Sequence, residues 1–162
     1  MIRKIAKLLF VIPFVFFCTT VLAQDVEKKV LTVSGGTAAG KSAQLSIHDL
    51  EKLPQVEYET ATPWHDGKVS FKGVLLSDLM DHLGAKGDTA EVVALNDYRA
   101  VLPVSDFDEH APILAYQLNG KYMRIRDKGP LFVIYPFDDK PELKTEVHYS
   151  RSVWQVRSIV VE

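Results

Sequence analysis

The stretch Arg126-Asp127-Lys128-Gly129-Pro130-Leu131-Phe132-Val133-Ile134-Tyr135-Pro136 constrains the fold of this chain most. Leu131 to Tyr135 is apolar without a break and rich in β-branched and aromatic residues, and Pro136 ends it. That is the pattern of a strand buried on both faces. The residues before it form a charged turn, in which Gly129 supplies backbone freedom and Pro130 removes a donor and opens the strand. A rigid core strand therefore holds out two cations, Arg126 and Lys128, with Asp127 between them. The turn reads either as a binding loop presented by a scaffold or as a solvated turn ahead of a core strand.

The rest of the chain supplies partners for that strand. Strands are expected at Val30–Val33, Ala43–Ile47, Gln55–Thr60, Val69–Val74, Glu91–Leu95, Tyr98–Leu102 and Ser158–Val161. Asn119-Gly120 marks a hairpin between Ile113–Leu118 and Lys121–Ile125. Leu76, Leu79, Met80 and Leu83 share one face of a helix that Gly84 stops. A shorter helix begins at Ser46 or Ile47 and ends before Pro54, and Ser105 to Glu109 starts a turn or helix. Asp138 to Lys144 reads as a polar loop. The expected fold is α/β of the α+β kind, a mixed and mainly antiparallel sheet with a barrel-like core and few helices.

Gly35-Gly36-Thr37-Ala38-Ala39-Gly40-Lys41-Ser42 matches the phosphate-loop pattern G-x-x-x-x-G-K-[ST]. Phosphate binding by such a loop needs a helix N-terminus directly behind it. Here the next residues alternate like a strand, so the segment reads as a hairpin turn.

Residues 1–23 read as a signal peptide, with Arg3, Lys4 and Lys7 ahead of an apolar run and Val21-Leu22-Ala23 as the cleavage site. Cleavage would leave one domain, residues 24–162. It would move the net charge from −2 to −5, because three cations and no acid are lost. That balance argues against a nucleic-acid surface. It would also remove Cys18, the single cysteine, leaving no thiolate ligand and no cysteine nucleophile. His48, His65, His82, His110 and His148 show no metal-ligand spacing, and no nucleophile-elbow motif is present.

An ordered set of motifs carries a resemblance. Thr62-Pro63-Trp64-x-Asp66-Gly67 is followed by Phe71-x-Gly73-Val74-x-Leu76-x-Asp78-Leu79, Leu95-Asn96-Asp97-Tyr98, Leu114-Ala115, Arg126-Asp127-Lys128-Gly129-Pro130 and Tyr135-Pro136. Together they resemble the sulfite-oxidase-like molybdopterin-binding domain. Enzymes of that family hold molybdenum through one cysteine thiolate, at a position corresponding roughly to Thr60–Trp64. This chain has Ala61, Thr62 and Pro63 there, and oxygen or imidazole ligands do not replace the soft thiolate. A smaller group is similar on this point: cysteine-less periplasmic proteins that bind a metal-free pterin and act on the periplasmic domain of a membrane-bound cyclic di-GMP regulator. The resemblance implies an exported, periplasmic binding protein with no catalytic residues of its own, a metal-free and reduced pterin as ligand, no molybdenum cofactor, and a membrane signalling partner. The alternative is a molybdopterin-dependent oxidoreductase or its cofactor-binding subunit.

A pterin needs an aromatic face and an acceptor opposite its guanidine-like edge. Trp64 reads as a stacking platform or as a core lid. Asp97 reads as a bidentate acceptor for the ring edge or as a turn residue bonded to its own backbone, and Asn96 shares that ambiguity. Tyr98 walls the pocket or belongs to the core. Arg126 and Lys128, presented by the turn at Gly129, would meet ring carbonyls or a ligand phosphate, or else stay solvated or pair with Asp127, and Arg151 and Trp154 would join the pocket rim or serve a protein partner. The expected ligand-binding set is therefore Trp64, Asn96, Asp97, Tyr98, Arg126, Lys128, Gly129 and Arg151.

Overall fold

The computed structural model describes residues 27–38 and 40–162. The expected signal peptide and Cys18 lie outside the described residues. Among the described residues, ten strands form two sheets: β1 (Lys29–Ser34), β2 (Ala43–Ser46), β3 (Val56–Ala61), β4 (Lys68–Leu75), β5 (Thr89–Ala94), β6 (Arg99–Pro103), β7 (Ile113–Leu118), β8 (Lys121–Tyr122), β9 (Phe132–Ile134) and β10 (Val156–Val161). The first sheet runs β2-β1-β10-β5-β6. The second runs β3-β4-β7-β8, with β9 also paired to β7. Only the β1–β10 pairing is parallel, which brings the last strand of the chain into the centre of the first sheet. The mixed, mainly antiparallel expectation holds.

Each sheet turns alternate side chains to one shared hydrophobic core, as the two-residue period of a strand dictates. Leu31 and Val33 of β1 point in, while Val30, Thr32 and Ser34 lie on the other face. Leu131, Phe132, Val133, Ile134 and Tyr135 are all fully buried, so β9 is the core strand that its composition promised. Each such side chain stabilises the fold by about 1.5–3 kcal/mol relative to exposure. Tyr58 reaches across from β3, its hydroxyl donating to the Ile134 carbonyl at 2.7 Å.

Among the described residues, four short α-helices connect the strands: α1 (Ile47–Leu50), α2 (Leu76–Leu83), α3 (Ser105–Glu109) and α4 (Glu146–Arg151). In α1 a capping box joins Ser46 and Asp49, which satisfies two orphan donors. Helix α2 buries Leu76, Leu79 and Met80 and ends on Gly84 in the left-handed region at φ 57°. The phosphate-loop lookalike is the β1–β2 connection. Thr37 Oγ1 donates to the Lys41 carbonyl at 2.8 Å, and β2 follows rather than a helix.

Two expectations need correction. The return strand of the Asn119-Gly120 hairpin stops at Tyr122, not Ile125, and Ile125–Asp127 forms a 3-10 turn. The cause is Met123, which is buried, so the chain dives inward there. The Arg124 carbonyl then accepts from Asp127 N–H at 2.8 Å and Gly129 N–H at 2.9 Å. The second correction is α4, absent from the sequence reading. Its N-cap is Thr145, whose hydroxyl accepts from the His148 N–H.

Candidate functional site

The candidate site is built where the Thr62–Gly67 loop meets the β5–β6 turn and α4. Asp138 anchors the loop at its start. Its carboxylate accepts from Ala61 N–H at 3.2 Å, and its own N–H donates to Thr60 Oγ1 at 3.1 Å. Lys144 and Lys68, at 2.7 and 3.0 Å, hold the Asp138 carboxyl down at about 2. Thr62 then shapes the turn: its Oγ1 accepts from Trp64 N–H at 3.3 Å and lies 2.9 Å from His65 Nδ1. The Trp64 indole is directed onto Phe132, Tyr149 and Trp154, with ring centroids at 5.6, 5.9 and 5.6 Å. These are ordinary separations for aromatic pairs.

A cavity of about 300 Å³ opens beside this cluster. Trp64, Trp154, Tyr149 and Tyr98 supply its aromatic walls, and Asn96, Glu146, Ser150 and Ser152 its polar groups. That volume is at the lower end of small-molecule pockets. The Tyr98 hydroxyl donates to the Ser150 carbonyl at 2.9 Å and ties the β5–β6 turn to α4. Lys128 sits with Nζ 4.8 Å from the Trp154 ring centroid, a cation over an aromatic face. Gln155 N–H donates to the Lys128 carbonyl at 2.9 Å, which fixes that turn against the Trp154 segment.

The structure gathers half of the sequence-expected residues and disperses the rest. Trp64, Asn96 and Tyr98 line the cavity, and Lys128 stands over one wall. Trp64 is both wall and packing residue, since it is only partly buried against the core. Asn96 also bonds its own turn, accepting from Tyr98 N–H at 3.2 Å. Asp97 leaves the site: it is exposed at φ 65° and paired with Arg157. Arg126 lines a separate groove and lies 3.8 Å from Asp127. Gly129 is buried, and a Cβ placed on it would lie 2.3 Å from the Met123 carbonyl oxygen, so its role is close chain approach. Arg151 bonds Asp106 at 2.8 Å, beside the Tyr135 hydroxyl at 3.1 Å, and does not reach the cavity. Glu146 and Tyr149 were missed. Thr145 at the N-cap of α4 was the local signal that would have found them.

The donor set around the cavity does not fit a thiolate-held metal. No described residue there is a cysteine, and Thr62 Oγ1 is already engaged by Trp64 and His65. No group of three or more His, Cys, Asp or Glu is placed to hold an ion among the described residues.

The loop also carries a pH dependence. Burial, then the charge of Lys128, holds His65 below its ordinary value of 6.5. Burial, then Arg151, does the same for His148, against the opposing pull of Asp106. The unfolded chain therefore takes up protons below pH 6.5 that the folded protein refuses. Stability is fully present above that pH and is lost as pH falls toward the two lowered values. Melting temperature should fall as the pH is lowered through about 6.5, above the range in which Asp138 titrates. A flat profile in a calorimetric series would show that neither imidazole is held neutral by the fold.

Comparison with known proteins agrees with this architecture. Residues 19–137 match the family described as the oxidoreductase molybdopterin binding domain. The match ends at Phe137, so α4 and Trp154, half of the cavity wall, lie beyond it. No curated protein matches the chain. Among solved structures, the chain is similar to the sulfane dehydrogenase SoxCD from Paracoccus pantotrophus, at a TM-score of 0.63 and 17% identity. That similarity covers 84% of this chain and 38% of the other, and at such identity it concerns the fold. With most of its length matched by the family and its two-sheet core shared with a solved relative, the chain belongs to the oxidoreductase molybdopterin-binding domain family.

Proposed function

We propose that this protein binds a metal-free, reduced pterin in the Trp64–Tyr98–Tyr149–Trp154 cavity. In this reading residues 1–23 are a cleaved signal peptide and residues 24–162 act in the periplasm. There they relay pterin occupancy to the periplasmic domain of a membrane-bound cyclic di-GMP signalling protein. The observation that carries the ligand is the cavity itself: aromatic walls and one carboxylate, with Lys128 over the Trp154 ring, in a fold family named for molybdopterin binding, and no thiolate beside it among the described residues. A flat bicyclic ring stacks on such walls for ~1–3 kcal/mol per aromatic partner. In this reading Glu146, which lines the cavity where Asp97 does not, accepts hydrogen bonds from the guanidine-like edge. Asn96, also in the lining, donates on the ring carbonyl side, with Lys128 over Trp154 as the nearby cation.

The test is extraction of small molecules from the purified protein, read by pterin fluorescence and mass, with metal analysis on the same sample. A pterin near one per chain, without stoichiometric molybdenum, is expected. Glu146→Gln should weaken pterin binding about tenfold, the worth of one charge-assisted bond. Trp64→Ala should weaken it by a similar factor and also lower the melting temperature, because Trp64 packs on Phe132. Stoichiometric molybdenum would instead make the protein an oxidoreductase or its cofactor subunit. The relay predicts that a signalling partner tightens pterin binding by the factor with which pterin tightens the partner. Equal pterin affinity with and without that partner in titration calorimetry would leave storage or transport.

A further inference from the structure

A second concave surface lies on the other side of the β5–β6 turn. It is a groove of about 1490 Å³ between the outer face of β1 and β10 and the segment from Lys121 to Arg126. Its volume exceeds the usual small-molecule range of about 300–1,000 Å³. Six cations line it, namely Lys28, Lys29, Lys121, Arg124, Arg126 and Arg157, and no acid does. Three neighbouring carboxylates answer some of them: Asp49 on Lys29 at 2.6 Å, Asp127 on Arg124 at 2.7 Å, and Asp97 on Arg157. Lys28 and Lys121 have no acidic partner among the described residues. A fourth carboxylate, Glu51, accepts from the Tyr122 hydroxyl at 2.6 Å, so the surplus is about two positive charges, on a chain whose net charge is −2. Between the cations lie apolar side chains: Val30 and Val160 on the sheet face, with Tyr122 and Ile125 opposite. Ile125 is 60% exposed, unusual for an isoleucine with no partner.

We infer that this groove docks a segment of a protein partner that carries apolar side chains beside Asp or Glu. Charge complementarity requires the acids, and the exposed Ile125, Tyr122 and Leu95 require the apolar groups. A bilayer surface is flat and does not enter a cleft. A nucleic-acid backbone brings charge but little to cover Ile125 and Val160. Leu95 borders the groove while Asn96 and Tyr98 border the cavity, so one turn separates the two sites.

The test uses the purified protein and three fluorescent peptides of about 15 residues, roughly four helical turns. One mixes Leu with Glu, one Leu with Lys, and one Ser with Glu, and binding is followed by anisotropy. The Leu-Glu peptide should bind, more weakly as salt is raised, and the other two should not. Lys121→Glu combined with Ile125→Asp should weaken binding at least tenfold. Both side chains are exposed, so the fold persists. Lys86→Glu, an exposed cation away from the groove, should change nothing. Absence of Leu-Glu binding, equal binding of Ser-Glu, or insensitivity to the groove variant would each overturn the proposal. So would preferential binding of anionic vesicles or duplex DNA that the groove variant abolishes. Each outcome is read without pterin and is independent of the cavity's ligand.

Discussion

Gly129→Ala should destabilise the protein by about 3 kcal/mol, the upper end for forcing a group into packed structure, and lower its melting temperature by roughly 10 °C. The added Cβ would lie 2.3 Å from the Met123 carbonyl oxygen and 2.5 Å from its carbon. Those are backbone atoms of a buried residue that cannot swing aside, because Met123 N–H donates to the Tyr116 carbonyl at 3.0 Å. Relief requires moving the whole 124–128 turn, which carries Lys128 to its place over Trp154. Differential scanning calorimetry checks the shift. If Gly129→Ala melts like the wild type yet loses pterin, Gly129 is a ligand contact and the close approach is unimportant.

Arg151→Met should cost about 2–3 kcal/mol at neutral pH. The substitution keeps much of the aliphatic stem and leaves the Asp106 carboxylate, 8% exposed, with only the Tyr135 hydroxyl. Removing one partner of a fully buried pair costs about 3–5 kcal/mol; here Arg151 is 22% exposed, so water recovers part of that. Adding Asp106→Asn to Arg151→Met should recover part of the loss, because no buried charge is then left unpaired. Chemical denaturation of the wild type and both variants gives these numbers. Lost pterin affinity with unchanged stability would return Arg151 to the cavity.

These two residues show why the site was only half legible. Trp64, Asn96, Tyr98 and Lys128 could be nominated because loop aromatics and turn polar groups tend to be presented by a scaffold. Asp97 looked equally suitable, but Arg157, sixty residues further on, claims it. Arg151 is claimed by Asp106, forty-five residues earlier. Glu146 and Tyr149 were passed over because the polar run after Pro136 hides a single helical turn behind one N-cap.

What local chemistry decides was readable from the chain alone. The apolar run 131–135 had to be a core strand. Asn119-Gly120 had to turn, and both residues adopt positive φ. Gly84 had to end its helix, and the glycine-rich segment could not hold a phosphate with a strand behind it. Tertiary structure alone decided which side chains meet. The antiparallel pairing of β10 with β5 carries Arg157 beside the β5–β6 turn, and the Phe132–Trp154 bridge sets Trp154 against Trp64. Backbone preference acts over a few residues and leaves its mark in the sequence. The partner of a charge or a ring is chosen by contacts between distant strands, and no short window of residues records that choice.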